Sequence, residues 1–322
     1  MASLKQVRRA IVDGVVAVFA LPAGMLLRRA RRAWAHMPLT RRVLRVAGVF
    51  PLREHYYEPV VFQEDLRRPL EQERSIPGLN LNVAEQRALL GGLRYGSELL
   101  EIPLRKDAGA TGQAFYFYNG SFEGGDACFL YSMIRHFKPK RILEIGSGYS
   151  TLMARRAIER NRAQDRGYVC RHQCIEPYEQ PWLEQTGAEI IRRRAELCDP
   201  SLFDDLEADD ILFIDSSHVI RPQGDVLFEV LEVLGRLKSG VLIHVHDIFT
   251  PRDYPEEWII RDQKLWDEQY LIEAFLAYNS EFNIIAALNY LNRNHHQELM
   301  DACPVRGSGA NVEPRSLWMR RV

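Results

Sequence analysis

The chain has 322 residues, 46% of them hydrophobic and 26% charged, which is room for one large domain with appendages or two modest ones, and a core of ordinary size. The net charge of −1 hides an asymmetry. Residues 1–45 hold ten basic residues and a single acid, Asp13, so the rest carries 32 basic against 42 acidic residues. The basic arm suggests a partner of its own, anionic lipid or nucleic acid, and the acidic body argues against a long phosphate track and so against nucleic acid. Five cysteines, an odd number with no CxxC pair, do not read as a disulfide framework or a zinc site but as reduced thiols.

In the arm, residues 1–45, the stretch IVDGVVAVFALPAGMLL (11–27) lies between arginines. No A-x-A cleavage site follows it, which argues against a signal peptide. Seventeen residues at about 1.5 Å each give roughly 25 Å, short of the ~30 Å hydrocarbon core. Three readings stand: a segment lying on or shallowly in a membrane surface, a true span, or a helix packed on protein. In the membrane readings Arg28–Arg32 sit at the cytoplasmic face and the body stays cytoplasmic, peripheral at the inner face.

Residues 46–125 form a connector and cap region. Up to residue 80 they carry prolines and aromatics without a period; 82–95 predicts a short helix. From 126 to 322 the chain alternates. Asp126 is a plausible helix start, Phe129, Leu130, Met133, Ile134 and Phe137 recur at helical spacing, and Pro139 marks the end. Strands are expected at 141–146, 168–177, 188–195, 209–217, 240–249, 281–289 and 316–322, with helices at 150–160, 224–237 and 265–279. The fold class is therefore α/β: a doubly wound, mostly parallel Rossmann-like sheet with a helical and irregular N-terminal extension.

In such sheets ligands bind beyond the carboxyl ends of the strands. Those ends are polar here: Glu144 to Gly148, Glu176, Asp215 to His218, and His246 with Asp247. Gly146 and Gly148 allow a tight turn and close approach of a ligand. A dinucleotide fingerprint needs a third glycine where Thr151 stands, and Glu176 lies 28 residues after Gly148 rather than the usual ~20, which counts against a nicotinamide oxidoreductase. A carboxylate such as Glu176 can accept both hydroxyls of a ribose. Glu144 beside the turn suits a cationic ligand better than a pyrophosphate.

LEIGSG followed by IEP resembles the first motif and acidic loop of class I S-adenosylmethionine-dependent methyltransferases. FIDSSHV followed by HVHDIF is similar to the IDGxHxY…HD pattern of sugar and antibiotic O-methyltransferases of the macrocin and cephalosporin-biosynthesis type. Here Ser216 replaces the glycine, and Val219-Ile220 stands where serine and tyrosine are usual. The resemblance implies S-adenosylmethionine as cofactor, with Gly146 and Gly148 against its methionine and ribose, Glu144 near its amino group and Glu176 on the ribose. It also implies Tyr118 and Asn119 over the cofactor and Asp215 beside it. It further implies a small-molecule, saccharide or lipid-linked acceptor, and acidic metal ligands at Asp215 and Asp247.

Transfer to a hydroxyl needs a base or a metal to lower the hydroxyl's pKa. Asp215, His246 and Asp247 are candidate ligands for a divalent cation, Mg2+ or, given the imidazole, Mn2+. His218, His246 and Asp247 are the candidate catalytic residues, with His218 the preferred base if no metal takes part; a purely structural cluster is the third alternative. His244, two residues before His246, reads as a satisfied interior histidine. Tyr254 and Trp258 are candidates to wall the acceptor pocket. A non-catalytic protein that keeps the fold for membrane or partner binding is the competing functional class.

Overall fold

The computed structural model describes residues 4–106, 113–178, 180–304 and 313–322. The chain divides into two compact units. One comprises residues 1–67 and 257–265, the other 68–256 and 266–322.

The first unit is led by helix α1, Leu4–Arg32. Pro22 lies inside it, and the helix continues through the arginines on both sides of the apolar stretch. At about 1.5 Å per residue its 29 residues span roughly 43 Å, of which the apolar stretch 11–27 is roughly 25 Å and the flanking turns carry the arginines. The stretch Lys5–Arg32 is long and apolar enough to cross a membrane, and none of its most apolar window is buried. A short helix α2, Pro38–Val46, follows with proline in its first turn, where the missing N–H costs nothing.

In the second unit α3 (Val83–Gly92) and α4 (Gly96–Leu100) precede α5 (Gly124–Phe137). α5 begins two residues before Asp126, whose carboxylate instead accepts the backbone N–H groups of Arg315 and Ser316 (both 2.9 Å). Lys138 in the left-handed conformation and Pro139 end the helix. Then come β1 (Arg141–Ile145), α6 (Tyr149–Gln164), β2 (Arg171–Ile175), β3 (Glu189–Ile191), β4 (Ile211–Ile214) and α7 (Asp225–Phe228), which runs on as a π-turn over 229–233. β5 (Leu242–Val245), α8 (Glu268–Leu276), β6 (Phe282–Ala287), α9 (Leu288–Asn294), α10 (His296–Ala302) and β7 (Leu317–Arg321) complete it.

The seven strands lie in the order β3-β2-β1-β4-β5-β7-β6. All neighbouring pairs are parallel except those of β7, which runs antiparallel to β5 and β6. Both faces are covered. Ile142, Phe213, Leu242 and Trp318 pack with α5 and α6 on one side; Leu143, Ile145, Leu212, Ile214 and Ile243 pack with residues of 228–237 and α8 on the other. This is why the central strands read as continuous apolar runs rather than alternating ones. Strand order reverses between β1 and β4, so their carboxyl ends open a crevice at the switch point.

Candidate active site

The turn after β1 is wedged between its neighbours. Gly146 N–H donates to the Ile175 carbonyl (3.0 Å), and Asp215 N–H donates to the Ile145 carbonyl (2.9 Å). Gly146 has φ +76°, and a Cβ there would lie 1.8 Å from the Asp215 carbonyl oxygen, so only glycine fits. Gly148 is different: a Cβ would meet nothing within 4 Å, which leaves the backbone open to close approach. Thr151, where a dinucleotide site would have its third glycine, caps this turn. Its Oγ1 accepts from Gly148 N–H (3.1 Å) and donates to Glu144 Oε2 (2.7 Å).

Glu144 is fully buried and faces α6. Its Oε2 also lies 2.9 Å from His172 Nε2 and accepts from Cys174 Sγ (3.2 Å), and Oε1 is buried without a hydrogen bond. Glu144 therefore anchors the turn from below. Glu176 does face the crevice. It lines a cavity of about 290 Å3 with Gly146, Ile175, Ala195, Asp215 and Ser217. Its two oxygens accept Ser147 N–H (3.2 Å) and Tyr178 N–H (2.9 Å), which fixes the carboxylate at the cavity wall. Asn119 does other work: its side chain donates to the Tyr116 and Phe122 carbonyls and accepts from Ser121 and Phe122 N–H, all at 2.8–2.9 Å, so it knits the 116–122 turn. Tyr118 is half-buried against the core, and neither residue lines the cavity.

Sequence reasoning missed Arg194, Ala195 and Glu196 on the cavity wall; they follow β3, and the strand-end rule applied to that strand would have found them. It also missed Asp225 and Glu229. Ser217 donates to Asp225 (2.7 Å) and Ser216, which departs from the family pattern, to Glu229 (3.0 Å), so both pin the loop after β4 to the α7 segment.

On the other side of Asp215, four side chains converge. His218 Nδ1 lies 2.8 Å from Glu268 Oε2, while Nε2 lies 3.3 Å from Asp215 Oδ1 and 3.5 Å from Asp247 Oδ2. His218 (φ +60°) and Asp247 (φ +57°) both hold left-handed backbone conformations, which cost non-glycine residues about 1 kcal/mol or more each and point to a functional constraint. Trp266 packs 4.3 Å from the His218 ring. Burial works against a charge on His218, but the hydrogen bonds to Asp215 and Glu268 outweigh it and hold the imidazole well above its ordinary pKa. Burial likewise pushes Asp215 up, but the facing His246 and His218 rings more than offset this, and the carboxyl is held well below the usual range.

His246 stands outside this group. Its ring packs on Phe122 (5.3 Å), with Nδ1 3.5 Å from Ser316 Oγ and Nε2 3.7 Å from Asp247 Oδ1. His244 is interior: Nε2 lies 2.8 Å from Ser316 Oγ, the ring stacks on Phe213 at 4.0 Å, and burial keeps it neutral. Tyr254 is buried, its hydroxyl accepting from Gln269 N–H (3.1 Å), so it is a core residue rather than a pocket wall. Trp258 belongs to the other unit, where Lys264 lies over its ring at 3.9 Å.

A divalent ion fits the donor set. Asp215, His218 and Asp247 each offer one ligand atom within 4.8 Å of the others. Glu268 on the far nitrogen of His218 is the outer partner that metal-bound imidazoles usually have. His218 thus takes the place that the sequence suggested for His246. Arg315 Nε, 2.6 Å from Asp247 Oδ1, is a built-in cation on the same carboxylate.

A doubly wound sheet with a glycine turn, a carboxylate and an Asp–His–Asp cluster at the switch point defines a Rossmann-like fold with a ligand crevice at the strand ends. Residues 143–248, the span that holds the glycine turn, Glu176, Asp215, His218 and Asp247, match the family model described as "Methyltransferase domain". An uncharacterized protein of Archaeoglobus fulgidus is 30% identical over 173 residues, half of this chain and 76% of that one. The structure of an O-methyltransferase from Bacillus cereus in complex with SAH covers 72% of this chain and 99% of its own, at 14% identity and a TM-score of 0.37. The chain therefore carries a methyltransferase domain over residues 143–248.

Proposed function

We propose that the protein methylates a hydroxyl group of a saccharide, glycolipid or secondary metabolite at the inner face of a membrane, with a divalent cation assisting. The observation that carries this reading is the cluster of Asp215, His218 and Asp247, backed by Glu268, beside the Glu176 cavity. Bound S-adenosylmethionine would supply an electrophilic methyl group on its sulfonium. Glu176 would hold the ribose hydroxyls, and the open backbone at Gly148 would let the ligand approach closely. The acceptor oxygen must shed its proton as it attacks. Asp215, His218 and Asp247 would hold the cation, whose charge lowers the hydroxyl's pKa; the imidazole favours Mn2+ or another transition ion over Mg2+.

Asp215 and Glu268 raise the His218 pKa well above its ordinary value, against burial, which weakens the imidazole as a metal-free base. Glu268 would orient the imidazole toward a cation. Membrane placement is supported by α1 and by the flanking charges: three basic residues precede residue 11, and seven lie between 28 and 45, the asymmetry of a cytoplasmic C-terminal side. The test follows conversion of S-adenosylmethionine to S-adenosylhomocysteine with saccharide and lipid-linked acceptors, after chelation and again after adding Mn2+. Turnover restored by Mn2+ is expected; turnover indifferent to both treatments would remove the metal from the mechanism.

A further inference from the structure

The first unit carries a feature that methyl transfer does not use. From Gly14 to Arg53 the chain contains no acidic residue. Within that span α2 is strongly two-sided. Leu39, Val43 and Val46, at i, i+4 and i+7, are 75%, 59% and 87% exposed on one face, and Arg41, Arg42 and Arg45 are exposed beside them. The three arginines line an open cavity of about 660 Å3 together with Trp34 and Phe50, whose rings meet edge-on at 5.2 Å. The neighbouring Arg31 is engaged: it makes a bidentate pair with Glu58 (2.8 and 2.7 Å) and lies over Phe50. Among the described residues, Arg41, Arg42 and Arg45 pair with no acid.

Together these point to one occupant. An apolar ridge beside a basic, aromatic-edged hollow is the pattern of a helix lying at the headgroup level of a bilayer. It follows directly on α1, whose apolar side chains are exposed along its length. Guanidinium groups match phosphate oxygens in pairs, and tryptophan favours the polar–apolar boundary. We propose that this hollow is a binding site for the phosphate headgroup of an anionic phospholipid. Arg41, Arg42 and Arg45 engage the phosphate, Trp34 and Phe50 flank the glycerol, and Leu39, Val43 and Val46 sink into the acyl boundary. The proposal rests on the membrane reading of α1 given above.

The full chain is floated with vesicles of phosphatidylcholine alone and of phosphatidylcholine mixed with phosphatidylglycerol. Three proteins are compared: native, R41A/R42A/R45A and R41K/R42K/R45K. Native protein should favour the anionic vesicles. Each basic residue near such a surface is worth roughly fivefold, so the alanine variant should bind them roughly a hundredfold more weakly while binding neutral vesicles like native. The lysine variant keeps the charge but loses paired phosphate contacts, and should fall between the two. A lysine variant equal to native would overturn the site in favour of undirected attraction. Equal native binding to both vesicles would overturn the site and leave the membrane reading standing. No native binding to either would overturn both. A self-associating native protein that the alanine triple makes monomeric would assign the patch to a second copy. Binding of S-adenosylhomocysteine, measured in parallel, checks that each variant is folded.

Discussion

Replacing Gly146 with alanine, and separately Gly148, distinguishes two uses of glycine in one turn. The Gly146 Cβ would stand 1.8 Å from the Asp215 carbonyl oxygen, and real Cβ contacts essentially never fall below 3.0 Å, so something must move by at least about 1.2 Å. The obstacle is backbone, held by the Asp215 N–H to Ile145 bond, and it cannot rotate aside. Left-handed backbone for alanine adds about 1 kcal/mol. We expect a loss above about 3 kcal/mol, which at roughly 2 °C per kcal/mol lowers the melting temperature by about 6 °C or more. Gly148→Ala meets nothing within 4 Å, so its stability should stay within about 1 kcal/mol of native, while affinity for S-adenosylhomocysteine drops at least about tenfold. Calorimetric unfolding with and without S-adenosylhomocysteine reads both quantities. A Gly146→Ala protein as stable as native, or a Gly148→Ala protein that binds normally, would refute the reasoning.

Asp247→Ala should abolish transfer and Mn2+ binding while S-adenosylhomocysteine still binds; isothermal titration of each ligand checks this, and unchanged turnover would reject the assignment. Glu229 is fully buried, and burial first, then Glu268 and Asp225, raise its pKa well above the ordinary value. A carboxyl whose folded pKa is raised binds its proton more tightly in the folded state. Its contribution is complete below about pH 4.5 and is lost as pH rises through the folded value. Glu229→Gln, which can still accept from Ser216, should therefore match native near pH 4 and become relatively more stable with rising pH, read as a growing gap in melting temperature. All five cysteines are free and buried, with Cys170 pushed up to about 11 by burial, so a thiol reagent at pH 8 should label the native protein far more slowly than the unfolded one.

The fold was legible because the strands are apolar and bounded by punctuating residues. Pro139 ended α5 where expected, and each of the seven expected strands appears in the sheet. What escaped were features set by packing. The helices over 288–302 are rich in asparagine and histidine, and their hold comes from contacts made by Leu291, Leu299 and Ala302 rather than from propensity. The sequence predicts a strand to residue 249, but left-handed Asp247 turns the chain just after His246 N–H makes its bond to the Ile214 carbonyl. β1 is buried on both faces, so periodicity could not tell which way Glu144 points; pairing with Cys174 and His172 beneath α6 decides it. The Asp215 and Asp247 strand ends were visible, whereas Glu268 and Trp266 arrive 50 and 48 residues after His218 and carried no local signal.

The central claim is that Glu176 and the Gly146–Gly148 turn hold an S-adenosyl ligand. Isothermal titration of the intact protein with S-adenosylhomocysteine tests it most directly. The account predicts one site per chain, and at least about a hundredfold weaker binding for Glu176→Ala, from loss of charged hydrogen bonds to two hydroxyls at roughly 1.5–3 kcal/mol each. No heat with the native protein, or equal affinity in the variant, would contradict it.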